Sequence, residues 1–487
     1  MPSYDTDVLI CGAGAAGLTL AIDLARRGVR YRLIDRIAQP FGGSRGKGIQ
    51  PRTLEVFEDL GFVDALAAIG GPYPPQREYK AGGIVGETPM MVFDAATPDV
   101  PYPAPIMIPQ FLTEGVMRAR LAELGGAPDF GVTLLGFDQD DDGVSVRVDT
   151  GTGEQALRVR YLIGTDGGRS TVRHELGIDF PGETLGVRAL VADAVLDGLD
   201  RTAWHRFQLG GPETQVWICP LAGTDLFQIQ APVPMEGDAD LSAEGLTALT
   251  RARTGRSDIL IRSVSWASAY MMNARLANRY RVGRVFLAGD AAHIHPPTGG
   301  QGLNTSVQDS YNLGWKLAAV LAGAPDTLLD SYESERRTIA AGMLGLATRL
   351  LDQARQGTMT RGRETQQLDL AYPDSPLSRG EESERIRAGD RAPDAPCRGA
   401  AGQATRLFAL FRGPHWTLLG YEVDGTVAPR SGLHVHRIGA DGDIIDDGGH
   451  IARIYGLSAG QWVLVRPDGY VAGSVTGDPA AFVAGYL

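Results

Sequence analysis

Three glycines near the N-terminus constrain the fold more than any other feature of the sequence. Gly12, Gly14 and Gly17 follow an apolar run over residues 5–11 that is typical of a buried parallel strand, and they precede a helical pattern over residues 18–27. The first glycine permits a tight turn, the second lets the backbone approach a ligand, and the third lets the helix pack closely on the strand. The pattern predicts a βαβ unit in an α/β fold.

The same unit predicts a dinucleotide site. The helix after the glycines presents unpaired N–H groups and a partial positive charge to phosphates. A second strand over residues 29–34 ends in Asp35, where a carboxylate can bind ribose hydroxyls. A glycine-rich turn without a ligand is the alternative, but strand, helix and acidic residue in register favour a ligand. The predicted contacts are Gly12, Gly14, Ala15, Ala16, Gly17, Asp35 and Arg36.

The composition limits the other possibilities. A chain of 487 residues requires more than one domain. Its net charge of −12 argues against a nucleic-acid partner, which would need clustered Lys and Arg. Cys11, Cys219 and Cys397 lie far apart, so the sequence predicts no disulfide framework, no bound metal and a reducing cytoplasm. The sequence contains no run of about 18 or more apolar residues that would predict a membrane span.

Two further segments bear on which dinucleotide binds. Residues 162–173 contain Asp166 directly after an apolar run. Residues 284–304 begin as a predicted buried strand that ends in Asp290, at the edge of the sheet where ligands bind in α/β folds. The loop that follows, Gly299–Gly302, leads into a predicted helix whose N-terminal N–H groups and dipole suit a developing anion.

With these three signatures, the sequence resembles the class A flavoprotein aromatic hydroxylases, which share the para-hydroxybenzoate hydroxylase-like fold. The resemblance covers about residues 5–340. It implies that Asp290 binds the ribityl chain of FAD, that Asp166 serves the pyrophosphate region, and that Pro297 lies beside the flavin ring. Backbone N–H groups of Leu303 and Asn304 would meet the pyrimidine end of the ring. Further implied FAD contacts are Arg36, Arg45, Gln110, Gly289, Gly300 and Gly302, and the implied catalytic residues are Arg45, Pro297 and Gly299.

The resemblance also implies an activity. It is that of a flavin monooxygenase that uses NAD(P)H and O2 to hydroxylate a phenolic, polycyclic polyketide-type molecule through a flavin C4a-hydroperoxide. NADPH is favoured and would bind transiently, because no second glycine motif follows a strand. The alternatives are a Baeyer–Villiger or epoxidising monooxygenase, an antibiotic-inactivating hydroxylase, a reductase or halogenase with the same FAD motifs, and a non-enzymatic FAD protein. The W-x-W-x-I-P motif of tryptophan halogenases is absent from the sequence.

The order of the elements predicts three domains: a Rossmann-type FAD-binding domain, an inserted antiparallel-sheet substrate domain and a C-terminal thioredoxin-like domain. The last resembles the corresponding domain of phenol and polyketide hydroxylases on residues 460–471. It lacks C-x-x-C, which predicts a role in packing or in a homodimer. The predicted boundaries are residues 1–75, 111–183 and 276–388 for the first domain, 76–110 and 184–275 for the second, and 389–487 for the third.

The remaining predictions concern the substrate pocket and the polar segments. The pocket is expected between the first domain and the sheet of residues 184–275, with core packing as the alternative for each candidate residue. The polar segment 356–400 indicates a linker, and the Arg- and Glu-rich residues 333–337 indicate a solvated helix face. His293 and His295 have no third metal ligand nearby, and no general base is identifiable. The candidate pocket residues are Trp217, Phe227, Tyr270 and Met271.

Overall fold

The structure is a computed structural model that describes residues 3–80, 83–91, 95–297, 299–356, 361–381 and 385–486. None of the helices in these ranges is long and apolar enough to cross a membrane. Short 3-10 segments lie at Pro212–Thr214, Gly289–Ala291, Asp326–Leu329 and Arg363–Thr365. The α-helices are α1 (Ala15–Arg26), α2 (Pro51–Leu60), α3 (Val63–Ile69), α4 (Gln110–Glu123), α5 (Thr171–Glu175), α6 (Ala243–Thr254), α7 (Gly302–Leu321), α8 (Asp330–Gln356), α9 (Leu407–Phe411), α10 (His450–Tyr455) and α11 (Pro479–Ala484).

The strands form three large sheets and one short ladder. They are β1 (Thr6–Cys11), β2 (Tyr31–Asp35), β3 (Gly48–Ile49), β4 (Gln76–Lys80), β5 (Gly83–Thr88), β6 (Ile106–Met107), β7 (Asp129–Phe130), β8 (Thr133–Gln139), β9 (Val144–Asp149), β10 (Glu154–Gly164), β11 (Gly182–Asp197), β12 (Trp204–Phe207), β13 (Val216–Pro220), β14 (Phe227–Pro232), β15 (Leu260–Leu276), β16 (Arg281–Val282), β17 (Val285–Leu287), β18 (His293–Ile294), β19 (Pro396–Gly399), β20 (Ala404–Arg406), β21 (Trp416–Tyr421), β22 (Leu433–Ile438), β23 (Ile444–Ile445), β24 (Gln461–Val465) and β25 (Val471–Val475).

The first sheet carries the predicted βαβ unit. Its main path is β16-β17-β10-β1-β2-β7, and the pairs β17–β10, β10–β1 and β1–β2 are parallel. Leu9 and Ile10 of β1 are both fully buried, although their side chains point to opposite faces. Both faces of the central strand are therefore covered, which explains why the sequence of β1 is continuously apolar rather than alternating.

The second sheet has the order β18-β15-β11-β14-β13-β12-β4-β5. Its pairs are antiparallel except for β12 with β4. One face forms a core of its own that includes Leu190, Phe207, Ile218, Ile229 and Leu246 of helix α6. The other face is turned toward the first sheet, because polar side chains on it bind the segment between β2 and β3.

The third sheet has seven strands in the order β20-β19-β23-β22-β21-β24-β25 and lies against helices α7 and α8. Trp315 of α7 packs edge-on against Trp416 of β21, with ring centroids 5.5 Å apart. Arg466, directly after β24, donates two hydrogen bonds of 2.7 and 2.9 Å to the Glu335 carboxylate on α8. This sheet is thus fixed to the long helices by both apolar and charged contacts.

The linker predicted over residues 356–400 is wrong for the part of it that the structure describes. Thr365, Gln367 and Tyr372 are buried there, and the Gln367 side-chain amide donates to the Gln301 side chain at 2.6 Å. A polar sequence forms a packed segment here because its side chains satisfy buried polar groups of α7 and α8. Residues 357–360 and 382–384 of the predicted linker lie outside the described residues.

The solvated helix face predicted over residues 333–337 is wrong for two of its charged residues, while Ser334, which directly precedes them, is exposed. Glu335 is 3% exposed and Arg336 is fully buried on α8. Arg336 donates to Asp309 on α7 at 2.8 Å, and Glu335 accepts from Lys316 at 2.7 Å. Charges can lie inside this helix packing because each has an oppositely charged partner that is also buried.

Candidate functional site

The glycine-rich turn after β1 leaves no room for side chains at two of its three glycines. Gly12 has a φ of +110°, and a Cβ there would lie 2.3 Å from the Thr165 carbonyl oxygen. A Cβ at Gly17 would lie 1.9 Å from the Gly12 carbonyl oxygen. At Gly14 the only described atom within 4 Å of such a Cβ is a Glu114 carboxylate oxygen, at 3.8 Å. Gly14 therefore faces open space, where a phosphate can approach the backbone.

Helix α1 presents its N-terminus to that space. Gly14 precedes the helix and no side chain caps it, although Ala15 and Ala16 are nearly buried. Asp35, at the end of β2, accepts a hydrogen bond of 2.7 Å from the Ala13 N–H and so closes the turn. The uncapped N–H groups make a ready anion site. Arg36 follows Asp35 and is exposed.

Two side chains of α4 line the other side of this turn, and one of them was not predicted. Gln110 donates to Glu114 at 2.8 Å, and its backbone N–H donates to the Gly46 carbonyl at 2.9 Å. Glu114 is 1% exposed, and burial raises its pKa to about 7. Helix α4 therefore connects the glycine turn to the loop that carries Arg45. The sequence feature that could have predicted Glu114 is its i, i+4 spacing from Gln110, which places the two side chains next to each other on the helix.

Asp166 follows β10 next to the glycine turn. One carboxylate oxygen caps helix α5 by accepting from the N–H groups of Thr171 and Val172 at 2.7 and 3.2 Å. The other oxygen is buried and has no hydrogen-bond partner among the described residues. An unsatisfied buried acceptor is costly, so this atom is poised to accept a hydrogen bond from a ligand.

Asp290 follows β17 at the same edge of the sheet. The Asp290 side chain is solvent-accessible. The protein around it nevertheless removes enough water to raise the pKa of its carboxyl, and His293 and Arg45 oppose that rise. Gly289 before it has a φ of +63° and donates its N–H to Asp309 at 3.0 Å. The backbone at Gly289 thus turns the Asp290 carboxylate into the cleft.

A buried network anchored on Asp309 fixes that turn. His293 Nε2 lies 2.6 Å from one Asp309 oxygen, and Arg336 Nε donates to the other at 2.8 Å. Burial opposes ionisation of Asp309, but His293 and Arg336 outweigh it and lower the pKa of Asp309. His295 contacts the Ala340 carbonyl at 3.4 Å. Among the described residues, no group of three or more His, Cys, Asp or Glu side chains could hold a metal ion.

The loop before α7 completes the cleft. Gly300 has a φ of +66°, and α7 begins at Gly302 without a side-chain cap, so the first N–H groups of the helix have no side-chain acceptor. The Asn304 side chain donates to the carbonyls of Gly48 and Gly300 at 2.9 and 2.7 Å. This holds the β3 segment against the helix start. Pro297 is exposed and Gly299 is buried. The Leu303 side chain lies beside Gly46, where an added Cβ would be 3.5 Å from Leu303 Cδ1.

These features lie next to one another at one edge of the first sheet, which we call the nucleotide edge: residues 12–17, Asp166, Asp290 and the N-terminus of α7. It offers a close-approach glycine and an uncapped helix start for a pyrophosphate, a carboxylate for a sugar-like chain, and a second uncapped helix start for an electron-rich ring. The residues present fit FAD, the cofactor that the sequence signatures imply.

The second sheet divides the predicted pocket residues between its two faces. Direct cross-strand partners share a face, so Trp217, opposite Arg206, and Tyr270, opposite Ala189, lie on the side turned to the first sheet. Burial raises the pKa of Tyr270 to about 12, and Arg45 opposes that rise. The exposed Arg45 guanidinium stacks on Phe41 at 5.4 Å. We call this side, with Trp204, Trp217, Gln228 and Tyr270, the inner face.

Phe227 and Met271 do not reach the inner face. Phe227 is 3% exposed in the core on the α6 side, where Arg201 covers its ring at 4.8 Å. Met271 pairs with Arg188, whose register places it on that same side. The prediction that these two residues line the pocket is withdrawn, because strand alternation turns them away from the first sheet.

The family model described as FAD binding domain matches residues 5–347, which is most of the chain. The chain belongs to this FAD-binding family. A flavin-dependent monooxygenase of Mycobacteroides abscessus is 41% identical over 474 residues, covering 95% of this chain and 96% of that protein. A 12-dehydrotetracycline 5-monooxygenase/anhydrotetracycline 6-monooxygenase of Streptomyces rimosus is 34% identical, covering 96% and 94%. The chain is therefore an FAD-dependent monooxygenase.

A solved structure agrees with this assignment over the full length of the chain. The ternary complex of aklavinone-11 hydroxylase with FAD and aklavinone superposes with a TM-score of 0.84 at 30% identity, covering 100% of this chain and 98% of that chain. The mixed α/β fold with several sheets is thus that of an FAD-binding aromatic hydroxylase.

Proposed function

We propose that this monooxygenase uses NAD(P)H, with NADPH favoured, and O2 to hydroxylate a phenolic, polycyclic polyketide-type molecule. Two of the similar proteins support this substrate class by their names, one as a monooxygenase of 12-dehydrotetracycline and anhydrotetracycline and the other as a hydroxylase of aklavinone. The observation that carries the proposal is the position of residues 44–48. Asn304 holds the Gly48 carbonyl at the nucleotide edge, while Ser44 Oγ accepts from Gln228 on the inner face at 2.7 Å. A flavin ring at the α7 N-terminus would therefore lie beside the inner face.

The residues of the chain would hold FAD in a definite order. Gly14 and the start of α1 would bind the pyrophosphate, Asp35 the ribose, and Asp290 the ribityl chain, with Asp166, Arg45 and Gln110 nearby. The N-terminus of α7 would stabilise negative charge on the pyrimidine end of the ring by about 1–2 kcal/mol. When bound, FAD would supply the activation of O2 and the transfer of one oxygen atom to the substrate.

The inner face would position the substrate and exclude water. Trp204 and Trp217 have ring centroids 6.1 Å apart, and Tyr73 stacks on Trp204 at 6.3 Å, which provides an aromatic wall for a polycyclic ring. Pro297 and the Gly299–Gly302 loop would border the ring on the other side. Holding the substrate carbon close to the reacting oxygen is what this arrangement contributes to the rate.

We further propose that NADPH binds transiently over the first domain, that the protein works in the cytoplasm, and that the C-terminal sheet is a thioredoxin-like domain with a packing or dimer role. Cys11, Cys219 and Cys397 are all buried and unpaired in disulfides, which suits a reducing compartment. The contact of Arg466 with Glu335 supports the packing role. The domain boundaries given above belong to the same proposal.

A ligand screen tests the function. The FAD-loaded enzyme is mixed with polycyclic phenols, and NADPH consumption and product mass are measured under ¹⁸O-labelled O2. We expect a phenolic ligand to stimulate NADPH consumption and a product that carries one labelled oxygen on a ring carbon. A product with oxygen inserted into a carbon–carbon bond, or consumption that no aromatic ligand changes, would contradict the proposal.

A further inference from the structure

Lys47 occupies the position between the two halves of the proposed active site. Its neighbour Gly46 lies next to Leu303 of the α7 start, and its other neighbour Gly48 is bound by Asn304. The Lys47 side chain runs the opposite way, to the inner face, where Nζ donates to the Gln228 side-chain carbonyl at 2.5 Å. A residue in this position can touch a molecule that lies between the flavin site and the second sheet.

The ammonium group of Lys47 is buried and forms no ion pair with a carboxylate of the described residues. Lys47 is 9% exposed, and burial lowers its pKa. Arg361, a second cation close to Lys47, likewise forms no ion pair with a carboxylate of the described residues. Asp193 is near enough to favour the charged form of Lys47, but it lies beyond ion-pair distance, and both of its oxygens already accept hydrogen bonds from Ser44. A buried cation left in this state is costly unless an anion joins it.

A second cation strengthens the positive character of this region. Arg361 lies close enough to Lys47 to lower the pKa of Lys47, and burial also lowers the pKa of Arg361 itself. The Arg361 Nε atom is buried and has no hydrogen-bond partner among the described residues. Two buried like charges repel, and an anion between them removes that cost.

The surroundings are aromatic and offer a further unused donor. Lys47 Nζ lies 4.1 Å from the centre of the Trp204 ring, which stands between Tyr73 and Trp217. Trp204 is 5% exposed, and its Nε1–H has no hydrogen-bond partner among the described residues. Aromatic walls beside an ammonium group and an unused N–H donor suit a flat ring that carries an ionised oxygen.

We infer that Lys47, supported by Arg361 and Trp204, binds an ionised oxygen on the aromatic substrate and selects acidic rings over neutral rings of the same shape. The inference rests on the proposed function and deepens it, because it names the residue that sets substrate specificity. The ionised oxygen belongs to a hydroxyl or to a carboxylate, and the two sources are separated by the choice of probe.

The test compares matched ligands on the FAD-loaded enzyme without NADPH. The probes are 2-hydroxy-1,4-naphthoquinone and its methyl ether, and 2-naphthoate and 2-naphthamide. Each pair shares a ring system and differs in charge at neutral pH. Binding is followed by quenching of tryptophan fluorescence, to which Trp204 and Trp217 contribute. For Lys47→Met we expect a loss of affinity of about ten- to hundredfold for at least one anion, and less than about twofold for its neutral partner.

Rescue separates recognition of charge from support of the fold. Lys47→Arg keeps the charge, and we expect it to bind the anion within about tenfold of the parent protein. Lys47→Gln keeps a donor toward Gln228 without the charge, so it serves if the methionine variant loses FAD, and we expect the same loss of selectivity. Equal weakening of anion and neutral partner, unchanged anion binding, or loss of FAD in both uncharged variants would overturn the inference.

This result is independent of the oxygenation assay. If the enzyme selects the anion through Lys47 but no ligand stimulates NADPH consumption, the proposed function fails and the binding inference stands. If the enzyme hydroxylates phenols and Lys47→Met does so with an unchanged KM, the inference about Lys47 fails and the proposed function stands.

Discussion

The nucleotide edge and the inner face are built by different means. At the nucleotide edge, backbone geometry makes the site: a Cβ at Gly12 or Gly17 would overlap main-chain atoms, and two helices begin without side-chain caps. On the inner face, side chains make the site: Trp204, Trp217 and Gln228 project from strands whose backbones are ordinary ladder partners. A backbone-built site tolerates little change, whereas a side-chain-built site can change its ligand and keep the fold. The predictions below test this difference.

The largest effect is expected in the buried network beneath the nucleotide edge. Arg336→Met removes the arginine that pairs with buried Asp309 and leaves only His293 against that carboxylate, and we expect the free energy of unfolding to fall by about 3–5 kcal/mol. Arg398→Met breaks an ion pair with Asp447 in which both side chains are about half exposed, and we expect a loss of about 1 kcal/mol or less. Urea unfolding of the two variants measures both values. Equal losses would show that the network does not support the edge.

A glycine pair tests the backbone directly. Gly17→Ala brings a methyl group within 1.9 Å of the Gly12 carbonyl oxygen, and we expect a loss of about 3 kcal/mol or more together with loss of FAD. Gly28→Ala is the control, because Gly28 lies just after the other end of α1 and has no atom within 4 Å of its Cβ position, while its φ of +69° costs about 1 kcal/mol. Unfolding and bound flavin absorbance are measured together. A Gly17→Ala protein that stays yellow would break the comparison.

Asp290 tests a side chain at the nucleotide edge. Asp290→Ala removes the carboxylate that reaches into the cleft, and we expect the dissociation constant of FAD to rise by about ten- to hundredfold with the fold intact. Asp290→Asn keeps hydrogen-bonding capacity, so its effect should be smaller. Flavin fluorescence titration of the FAD-free protein gives the constants. Full FAD occupancy in Asp290→Ala would count against the role of this residue.

The smallest effect separates the two faces of the second sheet. Tyr270→Ala removes a ring from the inner face, and we expect the KM for a stimulating phenol to rise by about tenfold with little change in stability. Met271→Ala changes the next residue along the strand, whose side chain lies on the opposite face, and the KM should stay within about twofold of the parent value. Steady-state kinetics decides the outcome. Equal shifts in KM would mean that the pocket is elsewhere.

The same contrast explains what could be predicted from the sequence. The glycine turn, Asp166 and Asp290 are set by neighbours a few residues away, so local spacing was enough to predict their places at the edge of the first sheet. Alternation predicts that Trp217 and the next residue in β13 point to opposite faces, but it cannot say which face meets the first sheet, and Phe227 was therefore misplaced.

Long-range partners account for the remaining errors and omissions. Glu335 looked solvated because its partner Arg466 lies 131 residues farther along the chain. Lys47 and Glu114 were missed because their environment exists only after residues 44–48, α4 and the second sheet have come together. No local pattern marks a buried lysine that forms no ion pair with a carboxylate of the described residues.

The most direct test of the account is the flavin absorbance of the purified chain. We expect a yellow protein with about one FAD per chain, and loss of that FAD in Gly17→Ala but not in Gly28→Ala. A chain that stays colourless after incubation with excess FAD, while its unfolding transition remains cooperative, would contradict the claim that the nucleotide edge binds a flavin.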